Sequence, residues 1–160
     1  MNATGTNQAR PQGLLNARNT LLVGIGNNSR ADDGLGWAFL DALENWPDFE
    51  GDIEYRYQLQ VEDAALIANY DSVVFIDAYQ GALPEGFRWE VCQPAARFEF
   101  STHALSPGSV LFLCQDLYQA SPAAFTLAVA GDEWGLKEGL SVRAQANLQH
   151  ALHSFRELIT

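Results

Sequence analysis

Residues Thr20 to Ile25 read Thr-Leu-Leu-Val-Gly-Ile and stop at Gly26-Asn27-Asn28. This short run constrains the fold more than any other stretch of the chain. It is apolar at successive rather than alternate positions and so offers no face to water, which is the pattern of a strand buried on both sides of a parallel sheet. Such a strand needs helices above and below it. The same pattern returns at Ser72-Val73-Val74-Phe75-Ile76, closed by Asp77, and again from Ala124 to Ala130. Helical periodicities lie between these runs. From Asp33 onward Phe39, Ala42, Leu43 and Trp46 recur at i, i+3, i+4 and i+7, predicting an amphipathic helix that ends before Pro47. Val142 to Leu158 places Ala144, Leu148, Ala151, Leu152 and Phe155 on one helical face. A short helix is expected over Val61 to Ala68, and another over Ala104 to Gln119 with an irregular start near Pro107 and Gly108. Asp52 to Gln58 alternates Ile53, Tyr55 and Tyr57 with polar residues, as a half-exposed edge strand does, and Phe87 to Cys92 reads as a further strand. Strands alternating with helices predict an α/β fold, a three-layer αβα sandwich around a twisted sheet that is largely parallel or mixed. The expected organisation is one domain over residues 19–160, preceded by a polar, aperiodic tail over residues 1–18.

Charge and cysteine usage narrow the partners. With 20 Asp and Glu against 9 Lys and Arg the formal net charge is −11. A phosphate backbone or an anionic membrane surface is repelled by such a chain, whereas a cation, a metal ion or a basic segment is not. Acidity is also a general route to solubility. Cys92 and Cys114 stand far apart with no C-x-x-C spacing, which gives neither a disulfide framework nor a zinc knuckle and suits a reducing compartment. Met1 to Asn19 has no apolar signal-peptide core, and no segment approaches the ~18 apolar residues of a membrane span. The expectation is a cytoplasmic monomer with no nucleic-acid or membrane partner.

In a parallel α/β sheet ligands gather at the carboxyl ends of the strands, so the residues there carry the functional reading. Gly24-Ile25-Gly26-Asn27 followed by Asp32-Asp33-Gly34-Leu35-Gly36 makes a tight strand-turn-helix junction. It is not a dinucleotide loop: Ser29 stands where the third glycine belongs, and two carboxylates at the helix start oppose a pyrophosphate. One of the two carboxylates, Asp32 or Asp33, is expected to cap the helix, leaving the other to reach the crevice. Asp77 is expected to close its strand beside the same crevice, and His103 sits in the loop before a predicted helix. Each residue alone has a plain structural reading, as a cap or a hydrogen-bonding group. Together two carboxylates and an imidazole form a mixed oxygen and nitrogen donor set suited to zinc or nickel. His150, His153 and Glu157 on the last helix form a rival cluster, best explained as a solvated face. Ser121, Ser141 and the cysteines lack the context of a nucleophile.

These motifs resemble those of the hydrogenase maturation endopeptidases over about Leu21 to Leu152. Leu22-Val23-Gly24-Ile25-Gly26-Asn27 with Asp32-Asp33-Gly34-Leu35-Gly36 is similar to the family's opening signature, Phe75-Ile76-Asp77-Ala78 to its second, and Thr102-His103 to the position of its ligand histidine. Phe125 to Val129, Gly135-Leu136 and Gly139-Leu140-Ser141 resemble its last strand and the approach to its final helix. Gln58-Leu59-Gln60-Val61-Glu62 replaces the Asp-Gly-Gly-Thr turn of many relatives and resembles a variant branch. The resemblance implies a phosphorylase/hydrolase-like sandwich and an aspartic-type endopeptidase. That enzyme removes the C-terminal extension of a nickel-iron hydrogenase large-subunit precursor after nickel insertion. It implies Asp33, Asp77 and His103 as ligands to nickel carried by the substrate, with no tightly bound cofactor of the protein's own. Which residues act in the hydrolysis is left open, Asp33 and Asp77 being the candidates. Two other readings compete with it: a non-catalytic metal- or small-ligand-binding domain, and a hydrolase holding its own zinc.

Overall fold

The computed structural model describes residues 19–97 and 105–159. The expected tail over residues 1–18 and His103 lie outside them. Five strands, β1 (Thr20–Ile25), β2 (Asp52–Arg56), β3 (Ser72–Gln80), β4 (Phe87–Val91) and β5 (Ala123–Gly131), form one sheet in the order β2-β1-β3-β5-β4. All neighbours are parallel except β4, which pairs antiparallel with β5 and closes one edge. The mixed αβα sandwich is thus the observed architecture, with β2 at the other edge as its alternation required.

Helices α1 (Leu35–Leu43) and α4 (Val142–Ile159) cover one face, and α2 (Asp63–Ile67) and α3 (Pro107–Tyr118) the other. Successive residues of a strand point to opposite faces, and the central strands use both directions for burial. Leu22, Val74, Ile76 and Leu127 pack with Phe39, Leu148, Leu152 and Phe155, while Leu21, Val23, Val73 and Phe75 pack with Ile67, Val110 and Cys114. This is why the runs in the sequence are continuous rather than alternating. All five residues expected on the inner face of α4 are buried. Burying a side chain such as Phe155 completely contributes about 2–3 kcal/mol.

Four expectations are corrected. α1 stops at Leu43, and single turns, with the Trp46 amide donating to the Leu43 carbonyl, carry the chain towards Pro47. Its buried face is Leu35, Gly36, Phe39, Leu40 and Leu43, rotated from the stripe read in the sequence because both the sheet and α4 press on it. β2 stops at Arg56 and leaves Tyr57 exposed, its ring packed against Trp37 at 5.0 Å. α3 begins at Pro107, where the Ser106 hydroxyl accepts from the Ser109 amide and proline occupies the first turn without losing a hydrogen bond. Finally, Asp77 does not end β3. The strand runs on to Gln80 because β5 keeps pairing with it as far as Gly131, after β1 has already turned away.

Candidate functional site

Strand order fixes where the crevice is. From β1 the chain moves outward to β2, and then returns across β1 to β3, so the connections leave β1 and β3 in opposite directions. A sheet of this kind opens a crevice between those two strands at their carboxyl ends. Pairing of β1 with β3 ends at Gly24 and Ile76, so Asp77 is the first residue of β3 beyond its β1 partner. Val73 and Phe75 face the α2–α3 layer, and alternation sends Asp77 the same way. Leu105, ahead of α3, bridges to Leu59 in the loop after β2.

Asp33 reaches the crevice from the β1 side. After Ile25 the chain turns through Gly26, whose φ of +146° and whose missing side chain are both required: a Cβ there would lie 2.0 Å from the Asp33 carbonyl oxygen. The Asn27 amide donates to that same carbonyl at 3.1 Å. A 3-10 turn over Ala31–Gly34 then delivers Asp33, half-buried, ahead of α1. Trp37, one helical turn on, donates its indole N–H to the Arg56 carbonyl and so ties the start of α1 to the end of β2.

Electrostatics mark Asp33 and Asp77 as a pair. Burial pushes the Asp33 carboxyl above its usual range, against the opposing effects of Arg30 and an amide bond from Asn27. Asp77 is pushed up to about 7, chiefly by desolvation, with the negative charge of Asp33 adding to the rise and the Ala78 amide opposing it. Its side chain opens to solvent at the crevice, while the body of the protein behind it desolvates the carboxylate. A desolvated carboxylate whose ionisation is further disfavoured by a neighbouring one is a site that a cation stabilises. Among the described residues no group of three or more His, Cys, Asp or Glu side chains is gathered as a metal cage. Among the described residues the crevice offers the carboxylates of Asp33 and Asp77, and the third expected ligand, His103, lies outside those residues.

No family model matches the sequence, and no curated protein matches it either. Solved structures do. The hydrogenase maturating endopeptidase HybD from E. coli superposes with a TM-score of 0.65 at 20% identity, over 85% of this chain and 88% of that one. The [NiFe] hydrogenase maturation protease HycI from Thermococcus kodakarensis KOD1 gives 0.68 at 20% identity, over 91% and 96%. The hydrogenase 2 maturation peptidase from a Thaumarchaeota archaeon gives 0.62 at 18% identity, over 86% and 96%. The fold is that of the hydrogenase maturation proteases.

Within this maturation-protease fold, Asp32 does something the sequence did not announce. It caps no helix: neither the 3-10 turn nor α1 has a side-chain cap. Instead its carboxylate, with no solvent exposure, accepts from the Asp132 and Glu133 amides and from the Ser141 amide and hydroxyl, all at 2.7–2.8 Å. Burial acts against the charged form and is the largest single influence, but these donors outweigh it and hold Asp32 below the usual carboxylate range. Ser141, discounted as a nucleophile, is in fact the N-cap of α4, accepting from the Ala144 amide at 3.1 Å. A serine directly before a helical pattern is the signal that identifies such a cap. The rival cluster stays a solvated helix face: His153 and Glu157 are both exposed, 3.9 Å apart. With His150 they line an open pocket of about 800 Å³ that Leu83, Pro84 and Trp134 also line.

Proposed function

We propose that this chain is a hydrogenase maturation endopeptidase. It removes the C-terminal extension of a nickel-iron hydrogenase large-subunit precursor once nickel has been installed there. The observation that supports the reading is that the charge of Asp33 helps to raise the pKa of Asp77, just past the point where β1 and β3 stop pairing, on the fold of the hydrogenase maturation proteases. In this reading nickel belongs to the substrate. Two carboxylates and the imidazole of His103 supply a partial shell, and softer ligands on the precursor complete it, so the metal holds the two proteins together. The scissile segment is thereby presented in register, and orientation of that kind accounts for large rate factors. The protein needs no resident cofactor for this role.

The acidic chain and its two free thiols, Cys92 half-buried and Cys114 buried, fit a monomer working in a reducing cytoplasm. Among the described residues no helix is long and apolar enough to cross a membrane. The test is incubation with nickel-loaded and nickel-free large-subunit precursor, followed by mass measurement of the product. Shortening of the nickel-loaded form alone is expected. Equal cleavage of both forms removes nickel recognition, and binding without any cleavage makes the chain a metal-dependent binding domain.

A further inference from the structure

The turn that delivers Asp33 is not self-supporting. Ala31 adopts a left-handed conformation, φ +50°, which disfavours a residue with a side chain by about 1 kcal/mol or more. The segment after β5 is what holds it. The Ala31 amide donates to the Lys137 carbonyl at 2.7 Å and the Asp32 amide to the Glu133 carbonyl at 3.0 Å, while the Asp32 carboxylate returns the connection through its four bonds to Asp132, Glu133 and Ser141. The packing is tight enough that a Cβ at Gly131 would lie 2.7 Å from the Asp32 Cβ. On its other side the Asp33 backbone is pressed against Gly26 and Asn27. Asp33 thus stands between two fixed walls. One is the end of β1, and the other is the segment after β5, tied to the turn by two backbone bonds and by the four bonds that the buried Asp32 carboxylate accepts.

We propose that Asp32 is a positioning residue: together with Ser141 it clamps the Asp132–Ser141 loop and thereby fixes the direction from which the Asp33 carboxylate enters the crevice. The inference rests on the reading of Asp33 as a substrate-facing ligand given above. Its distinctive consequence is that Ser141, 109 residues beyond Asp32, governs Asp33. Ser141 serves both ends of the connection, donating its hydroxyl to Asp32 and accepting from the first turn of α4. Loosening the clamp frees the turn to move, and a displacement of the order of 1 Å at a reacting centre costs up to about a hundredfold in rate.

The experiment compares Asp32→Asn, Ser141→Ala, Asp33→Ala and Ser154→Ala in the full-length protein, at a temperature where each is folded. Asparagine keeps the shape of Asp32 but places an N–H₂ group against backbone donors, and Ser141→Ala removes one donor and the cap. Ser154→Ala is the control for destabilisation alone, because it removes a buried bond to the Trp89 indole on the α1/α4 face of the sheet, opposite the side that Asp77 faces. Two readouts are taken: the rate of precursor cleavage, and the carbon-13 resonance of the Asp33 side-chain carboxyl in the free protein. Asp32→Asn and Ser141→Ala are expected to slow cleavage about tenfold and to move the Asp33 resonance, with Ser154→Ala changing neither. If both clamp variants keep the wild-type rate and resonance while Asp33→Ala is inactive, the clamp is overturned and the functional reading survives. If Asp33→Ala itself cleaves normally, the reading of Asp33 falls and the clamp with it. Should Asp32→Asn not fold, Ser141→Ala decides by the same two readouts.

Discussion

Asp32 and Asp33 are neighbours in the chain, and the protein treats them in opposite ways. Asp32 is withdrawn from water entirely and given four donors, so its charge is held more firmly than in the unfolded chain. Asp33 is left half-buried with one amide and a nearby arginine, and its charge is held less firmly; Asp77 across the crevice is less comfortable still. The difference teaches how this fold separates scaffold from chemistry. A carboxylate whose lone pairs are all used by its own chain can only organise structure, while one that remains under-bonded is available to something that arrives.

The strongest way to break this comparison is to remove the under-bonded pair. Asp33→Ala and Asp77→Ala are expected each to lower precursor cleavage by a hundredfold or more, with no loss of melting temperature. Cleavage that survives in either, followed by mass measurement, would show that the open carboxylates are not the working ones. Asp32→Ala tests the other half. It strands a buried amide and hydroxyl of Ser141 and two part-buried amides, and the expected loss of stability is about 3 kcal/mol, above the ~1 kcal/mol of a helix cap. Urea denaturation checks it, and a loss of only the smaller size would return Asp32 to a capping role.

Acidity sharpens the contrast because the two groups respond with opposite sign. The folded-state value of Asp77, about 7, lies above that of an unfolded aspartate. Its ionisation therefore destabilises the fold fully above that pH, and the penalty disappears as the pH falls below about 4. Asp77→Asn should melt higher than the wild type at pH 8 and no higher near pH 4. Asp32 has a lowered folded-state value. Its contribution is present above the unfolded value and is lost as the pH falls through the folded one, so the deficit of Asp32→Ala should shrink in acid. Thermal melts of both variants across that range check the signs together. The smallest effect is expected at the exposed face of α4, where His150→Ala and His153→Ala should change stability by no more than about 0.5 kcal/mol and leave cleavage unchanged.

The sequence alone determined the layers. Continuous apolar runs at Thr20–Ile25 and Ser72–Ile76 cannot fold in any arrangement that leaves one face wet, and the stripe through Ala144, Leu148 and Phe155 can face only such a sheet. It also drew attention to the Asp32-Asp33 pair and to Asp77, because each follows an apolar run of a central strand. What the tertiary structure decided was everything that depends on a partner distant in the chain. The extra length of β3 beyond Asp77 exists because β5 goes on pairing with it, and β5 starts more than forty residues later. The role of Asp32 was hidden for the same reason: its donors lie about a hundred residues away, at Asp132, Glu133 and Ser141. A local pattern reports which side of an element is apolar. It carries no record of which buried polar group will meet which, and that meeting separates Asp32 from Asp33.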